Sequence, residues 1–208
     1  SDYGYALGFR RDTFGTTSFD YGEPVFLGHH RYGFTDKFTG GLRLEASLKM
    51  ASFGPWATFR LPVGEFELAA ALSHDDGDTG GAGSVGYSFS GLLGSFGAQL
   101  RLMSNRYANT GLGAATDRPT VQAMLFAGFG LGRNISVNST YAVSSYRDRG
   151  RLDTLTLQAT TRLSKLASLA LLAMRSSDEQ GATTYAAFGT FSFVFDGGAS
   201  VSVGYERR

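Results

Sequence analysis

The chain has 208 residues, no cysteine and a formal net charge of +1, with 29 glycines, 4 prolines and 13% aromatic residues. These values exclude a disulfide framework and any thiolate metal site, and they carry no charge bias toward nucleic acid. They also exclude collagen, which needs a Gly-X-Y period, and disorder, which needs far fewer aromatic and apolar side chains.

In chain order the sequence reads as strands. The first residues, Ser1-Asp2-Tyr3-Gly4-Tyr5, already have strand character and no signal-peptide pattern, so the chain is expected to be an internal portion of a larger secreted precursor. Strands are expected near 3–10 and 24–33. Leu42, Leu44 and Ala46 then alternate with Arg43, Glu45 and Ser47. After a strand near 50–61, Phe66, Leu68, Ala70 and Leu72 alternate with Glu65, Glu67, Ala69 and Ala71. A strand near 84–90 precedes the alternation of Phe96, Ala98, Leu100 and Leu102 with Ser95, Gly97, Gln99 and Arg101. Beyond 120–130, Ile135, Val137, Tyr141 and Val143 oppose Ser136, Asn138 and Thr140. Leu155, Leu157, Ala159 and Leu163 oppose Thr154, Thr156, Gln158, Thr160 and Arg162. Strands near 166–176 and 183–195 lead to the last, where Val201, Val203 and Tyr205 oppose Ser200, Ser202, Gly204 and Glu206. The expected fold is all-β, an antiparallel up-and-down meander of about 13 strands of about 8–12 residues each.

The connections alternate in length. Short ones fall at Phe34-Thr35-Asp36-Lys37, Pro62-Val63-Gly64, Gly91-Leu92-Leu93-Gly94, Leu131-Gly132-Arg133, Ser164-Lys165 and Asp196-Gly197-Gly198. Longer polar ones are expected at 11–23, 75–83, 106–118, 147–150 and 177–181. Tight turns at one end of a meander and long loops at the other are the pattern of an outer-membrane β-barrel. No stretch of 18 apolar residues exists, which excludes a transmembrane helix but not membrane-crossing strands, whose mean hydropathy is unremarkable. A single meander has no helix or second sheet to cover its apolar face; lipid would cover it, and closure would remove the edges. Phe34, Phe38, Tyr87, Phe129, Tyr141, Phe195 and Tyr205, near strand ends, suit interfacial girdles. Chain 1–208 is therefore expected to be one transmembrane β-barrel segment.

The polar strand faces carry Arg43, Glu45, Glu65, Glu67, Gln99, Arg101, Gln158, Arg162 and Glu206, and these nine are expected to face the lumen. Their mixed sign suits a wide hydrated conduit better than a ring selecting ions of one charge. Other motifs weigh toward plain structure. Gly81-Ala82-Gly83-Ser84-Val85-Gly86 fits G-x-G-x-x-G, but the helix that a dinucleotide site needs does not follow, and it is read as a loop. Asp75-Asp76-Gly77-Asp78 lacks the spacing of a calcium loop and is read as solvated. His29 and His30 are adjacent on a strand and point to opposite faces, so they cannot chelate jointly. His74 beside Asp75 lacks a second converging carboxylate pair, and Asn134 and Asn138 are ordinary polar residues on a bacterial strand. No catalytic residue, cofactor or metal ligand is expected.

Several strings carry a family likeness. Tyr5-Ala6-Leu7-Gly8-Phe9-Arg10, then Asp20-Tyr21-Gly22-Glu23-Pro24, then Arg31-Tyr32-Gly33-Phe34-Thr35-Asp36 leading into Phe38-Thr39-Gly40-Gly41-Leu42-Arg43-Leu44-Glu45 resemble the fimbrial outer-membrane ushers of the chaperone–usher pathway. Gly83-Ser84-Val85-Gly86-Tyr87-Ser88-Phe89-Ser90-Gly91 and Gln99-Leu100-Arg101 running into Asn105-Arg106-Tyr107 are similar to usher strands. The resemblance implies the barrel portion that follows the plug domain, in the bacterial outer membrane. It implies a non-enzymatic pore for pilus-subunit secretion and assembly. Its partners would be outer-membrane lipid and, through the full-length protein, pilus subunits and periplasmic chaperone–subunit complexes. The residues alone leave open a small porin or autotransporter-type barrel acting as a passive transporter.

Overall fold

The computed structural model describes residues 1–11, 21–112, 117–194 and 200–207. Its elements are strands: β1 (Asp2–Arg11), β2 (Tyr21–Thr35), β3 (Phe38–Ala46), β4 (Met50–Leu61), β5 (Gly64–Asp75), β6 (Asp78–Gly91) and β7 (Gly94–Met103). They continue with β8 (Pro119–Leu131), β9 (Ile135–Tyr146), β10 (Arg151–Arg162), β11 (Ala167–Ser177), β12 (Thr183–Val194) and β13 (Ser200–Arg207). The sheet order follows the sequence from β1 to β13, so the expected thirteen-stranded antiparallel meander is the observed fold. β1 and β13 stand at the two ends of that order, and no pairing among the described residues joins them. The chain clusters into two compact units, Ser1–Tyr87 with Leu100–Thr120, and Ser88–Gln99 with Val121–Arg208.

The alternating pattern produces these strands because directly paired residues of antiparallel strands share a face. In unit 1, Tyr5, Gly28, Leu44, Phe53 and Leu72 make one such row from β1 to β5. Another runs Tyr3, His30, Leu42, Pro55. In unit 2 the row Val137, Ala159, Leu171, Gly189 runs from β9 to β12. This face is not covered: Leu7 is 81% exposed and Leu72 68%. Among the described residues only Met50 and Ala108 are both apolar and buried. The described residues thus form no apolar core of the kind that burial, at about 25 cal/mol per Å², gives a water-soluble domain.

Aromatic rings gather where the tight turns of unit 1 lie. Phe34, Phe38 and Phe59 stack in succession at 5.2 and 4.8 Å, and Phe66 meets Tyr87 at 4.7 Å. The Tyr87 hydroxyl donates to the Val63 carbonyl of the neighbouring turn. At the other end of unit 2, Tyr141 accepts a hydrogen bond from Arg151 (2.6 Å), and Arg175 pairs with Asp153 at 3.5 Å, next to Tyr185 in register.

One expected loop is not a loop. Residues 75–83 were expected as a long connection, and Gly81–Gly86 as part of it, but β5 and β6 are joined by Asp76 and Gly77 alone. Both have positive φ, 47° and 92°. That is the twist of a type I′ hairpin, which Asp-Gly supplies at low steric cost. Between β3 and β4 only Ser47, Leu48 and Lys49 intervene, another tight connection at the supposed long-loop end. The alternation of connection lengths is therefore only partial. The Asp196-Gly197-Gly198 turn, Phe195 and residues 12–20 of the first connection lie outside the described residues.

Candidate functional site

The face opposite the apolar one is where chemistry collects, and in unit 1 it is charged. Register places Gly4, His29 and Arg43 in one row, and Leu27, Glu45, Ser52 and Ser73 in the next. Further along lie Arg31, Gly41, Trp56 and Ala69, and beyond them Gly33, Thr39, Thr58 and Glu67. The Arg31 guanidinium sits 5.6 Å from the centre of the Trp56 ring. Arg60 grips Glu65 with Nε and Nη2, at 3.2 and 3.1 Å from the same oxygen.

Two clefts open on this face. The larger, about 620 Å³, takes Arg43, Glu45, Trp56, Arg101, Tyr107 and Asn109 into its walls. The smaller, about 330 Å³, is lined by Arg31, Thr58, Arg60, Glu65 and Glu67 among others. Five of the nine sequence-predicted residues, Arg43, Glu45, Arg101, Glu65 and Glu67, are thus gathered on the polar face of unit 1, divided between the two clefts.

The first part of the connection between β7 and β8 lies on the same face. Ser104 and Gly81 exchange two hydrogen bonds: the Ser104 amide to the Gly81 carbonyl at 2.8 Å, and the Gly81 amide to Ser104 Oγ at 2.9 Å. Arg106 forms an ion pair with Asp78. The Ala108 amide donates to Ser73 Oγ at 2.8 Å, and that hydroxyl donates to the Gly80 carbonyl at 3.4 Å. Asn109 and Leu112 exchange backbone bonds of 2.9 Å each, closing a small turn. The Thr110 amide and hydroxyl both donate to Glu45 Oε2, at 2.9 and 2.8 Å, while Arg43 Nη2 stands 2.7 Å from Oε1.

Glu45 is consequently only 6% exposed, with three donors on its two oxygens. Burial of a carboxylate is tolerated where its oxygens are hydrogen-bonded and paired. Ala108, within the segment, is fully buried. Gly80 has to be glycine: a Cβ there would run into the backbone of Arg106 and Tyr107. At the far end of the connection Arg118 is buried, and loss of solvent pulls its guanidinium below the ordinary value, partly offset by Asp75 and Asp117.

Unit 2 presents a different polar face. Asn138, Gln158, Leu172 and Phe188 form one row, and Thr140, Thr156, Met174 and Ala186 the next. Arg162 is opposite Ser168 at the turn end, and Gln99 lies half-buried in β7. Glu206 is paired by register with Phe188, and its side chain lies outside the described residues. The four predicted residues of unit 2 are therefore spread along its strands.

The remaining motifs take structural roles. His29 lies on the polar face in register with Arg43, and His30 on the apolar face with its ring 6.2 Å from Tyr3. His74 Nδ1 is 3.2 Å from Thr79 Oγ1 across the β5–β6 hairpin. Asp76 pairs with Lys49 at 3.7 Å, and Asp78 holds Arg106. Sequence reasoning missed Arg31, Trp56, Arg60, Ser73 and Thr110. Arg31, Trp56 and Arg60 were legible in principle, since each shares the parity of the polar residues on its strand. Thr110 was not, because its partner is 65 residues away.

No protein-family profile matches the sequence, and no curated protein matches it. A solved structure is similar in fold: the P pilus usher (PapC) translocation pore, with a TM-score of 0.67 and 16% identity, over 99% of this chain and 45% of that one. The chain thus spans less than half the length of the structure it matches. Identity this low carries the likeness of strand order and path, and no residue-by-residue correspondence.

Proposed function

We propose that the chain is part of the wall of an outer-membrane translocation pore of the usher kind, with its apolar face against lipid and its polar face toward a water-filled passage. The observation that supports this most is the two-faced meander itself. In each unit large apolar side chains stay exposed along one face of the strands, and among the described residues no helix or second sheet exists to cover them. Lipid is the environment in which such a face costs nothing, and strands with fully paired backbones are one of two ways to cross it. Strands of 8 to 15 residues are long enough for a tilted crossing. The likeness to a pilus usher pore adds a fold-level analogy for what passes.

In this reading Arg43, Glu45, Glu65, Glu67, Gln99, Arg101, Gln158, Arg162 and Glu206 line the passage. Mixed charges and hydroxyls keep it wet and give a passing folded protein no extended apolar surface to adhere to. The cargo is folded pilus subunits, brought by periplasmic chaperones to the full-length protein. Their assembly by strand addition between subunits supplies the driving free energy, so the wall needs no catalytic group. The edges at β1 and β13 require partners, because each unsatisfied amide in lipid costs several kcal/mol; further strands of a longer chain would provide them.

The test uses the full-length protein in its own cells. Removal of residues 84–105, which takes out most of the β6–β7 hairpin, abolishes surface pili, while single changes at His29, His30 or His74 leave them intact. Pili displayed at normal levels by the deletion would overturn the reading. Loss of pili from one histidine change, with the barrel assembled normally, would point instead to a specific site.

A further inference from the structure

The apolar face of unit 2 changes character toward the loops. Register fixes its rows across β9 to β12. Ser139, Leu157, Ala173 and Ala187 make one row, and Tyr141, Leu155, Arg175 and Tyr185 the next. Val143, Asp153, Ser177 and Thr183 follow, and Ser145 with Arg151 comes last. Among the described residues, the charges on this face of β9–β12 are Arg151, Asp153 and Arg175, all in the three rows nearest the loops. Both arginines bend toward the row of Asp153. Arg175 donates to Ser177 Oγ at 3.3 Å and stands 3.5 Å from Asp153 Oδ2, each one row closer to the loops than itself. Arg151, one row beyond, reaches back across that row to the Tyr141 hydroxyl at 2.6 Å. Arg175 thus lays its stem on the apolar rows and carries its charge away from them, as a long basic side chain does at the rim of a membrane. Tyr141 and Tyr185 in the same row have the amphipathic character of an interfacial belt.

We propose that Arg151 and Arg175 form a seat for the phosphate of an anionic membrane lipid on the apolar face of unit 2; the proposal rests on the reading above that this face meets lipid. Asp153 neutralises one guanidinium of the two. The partner of Arg151 is a neutral hydroxyl, and no carboxylate among the described residues pairs with it, so the cluster keeps a net positive charge. The bonds described use one N–H group of Arg151 and two of Arg175, which leaves most of both planar forks for an outside acceptor. That fork matches the oxygens of a phosphate, and lipid phosphates are the anions that stand at the rim of the hydrocarbon. An ion pair made for stability alone is a weak explanation: the Arg175 side chain is 43% exposed, such pairs contribute little, and a second arginine adds nothing to one. In unit 1 the end row of this face on β3 to β5 is Ala46, Ala51 and His74, without an arginine.

The chain has no cysteine, so a single labelled position can report its lipid neighbours. Ala187→Cys, exposed on the row just inside the arginines, is labelled with bimane in the full-length protein in phosphatidylcholine vesicles. Quenching by phosphatidic acid with brominated chains is compared with quenching by phosphatidylcholine carrying the same chains, at equal mole fraction. Leu68→Cys in β5 is the reference. The expected result is quenching of both labels by both lipids, with phosphatidic acid enriched about fivefold at position 187 and not enriched at 68. Arg151→Gln with Arg175→Gln abolishes the enrichment. Arg151→Gln alone lowers it and leaves the Arg175–Asp153 pair in place, so it carries the test if the double variant fails to insert. Inorganic phosphate in the buffer leaves the enrichment intact. Three results overturn the seat while the lipid-facing reading stands: equal quenching by the two lipids at 187, enrichment unchanged by Arg151→Gln, and enrichment removed by inorganic phosphate, which marks a site for a soluble anion. Absence of quenching at both positions by either lipid overturns the lipid-facing reading and the seat with it.

Discussion

The two units share one apolar pattern and differ in what lies behind it. Unit 1 sets Arg31, Arg43, Glu45, Arg60, Glu65, Glu67 and Arg101 on its polar face and holds a segment of its own chain there. Unit 2 sets Asn138, Thr140, Thr156, Gln158 and Thr160 on the same side of its strands, with Leu172, Met174 and Phe188 among them. Hydrogen bonds to a charged group are roughly twice as strong as neutral ones. Charges therefore let unit 1 fix a polypeptide segment against its sheet. In the rows of unit 2 where hydroxyls and amides stand, neutral hydrogen bonds are all that is offered, with Arg162 apart at the turn end. Period-2 alternation decides which side a residue takes; the chemistry of the polar half decides whether that side holds or releases what touches it.

The comparison is sharpened first by what the units have in common. Leu68→Arg in unit 1 and Leu157→Arg in unit 2 each destabilise the protein by about 2–4 kcal/mol if both sit near the lipid midplane. Glu67→Arg and Thr156→Arg, one residue away, are tolerated. Denaturant midpoints of the protein refolded into lipid vesicles provide the check, and equal effects at neighbouring positions would sink the two-faced reading in that unit.

A smaller effect separates the units. Gly80→Ala forces segment 104–112 away from β6 and costs about 1–3 kcal/mol, the range for overpacking. Gly189→Ala in β12 meets only Leu171 Cδ2, at the ordinary distance of 3.5 Å. Its effect is neutral to stabilising by about 0.4–1 kcal/mol, through the unfolded chain. The same measurement reads both. If the two substitutions proved alike, segment 104–112 would not be packed as described.

Much of the fold was legible because the strands alternate strongly: Phe66-Glu67-Leu68 and Leu155-Thr156-Leu157 leave little choice of face. The β5–β6 hairpin was misread for a physical reason. Thr79-Gly80-Gly81-Ala82-Gly83 has almost no apolar contrast, so its alternation is invisible, and the Asp-Gly pair that marks the turn sat inside a stretch that looked like loop. Gly80 among them is the imprint of segment 104–112, whose backbone a Cβ there would meet. The seat of segment 104–112 left no local trace, since Glu45 and Thr110 meet only once the sheet has formed. Arg43, Glu45 and Arg101 were found from parity alone, whereas their grouping into one cleft depends on the register between strands.

The central claim is that one face of this meander meets lipid and the other water. The most direct measurement is a nitroxide scan of β5, one cysteine at a time from Glu65 to Leu72, in the full-length protein in lipid vesicles. Collision rates with oxygen, which partitions into lipid, and with a water-soluble nickel complex are compared at each position. The account predicts oxygen maxima at 66, 68, 70 and 72 and nickel maxima at 65, 67, 69 and 71, with a period of two. Nickel access equal at all eight positions would contradict it.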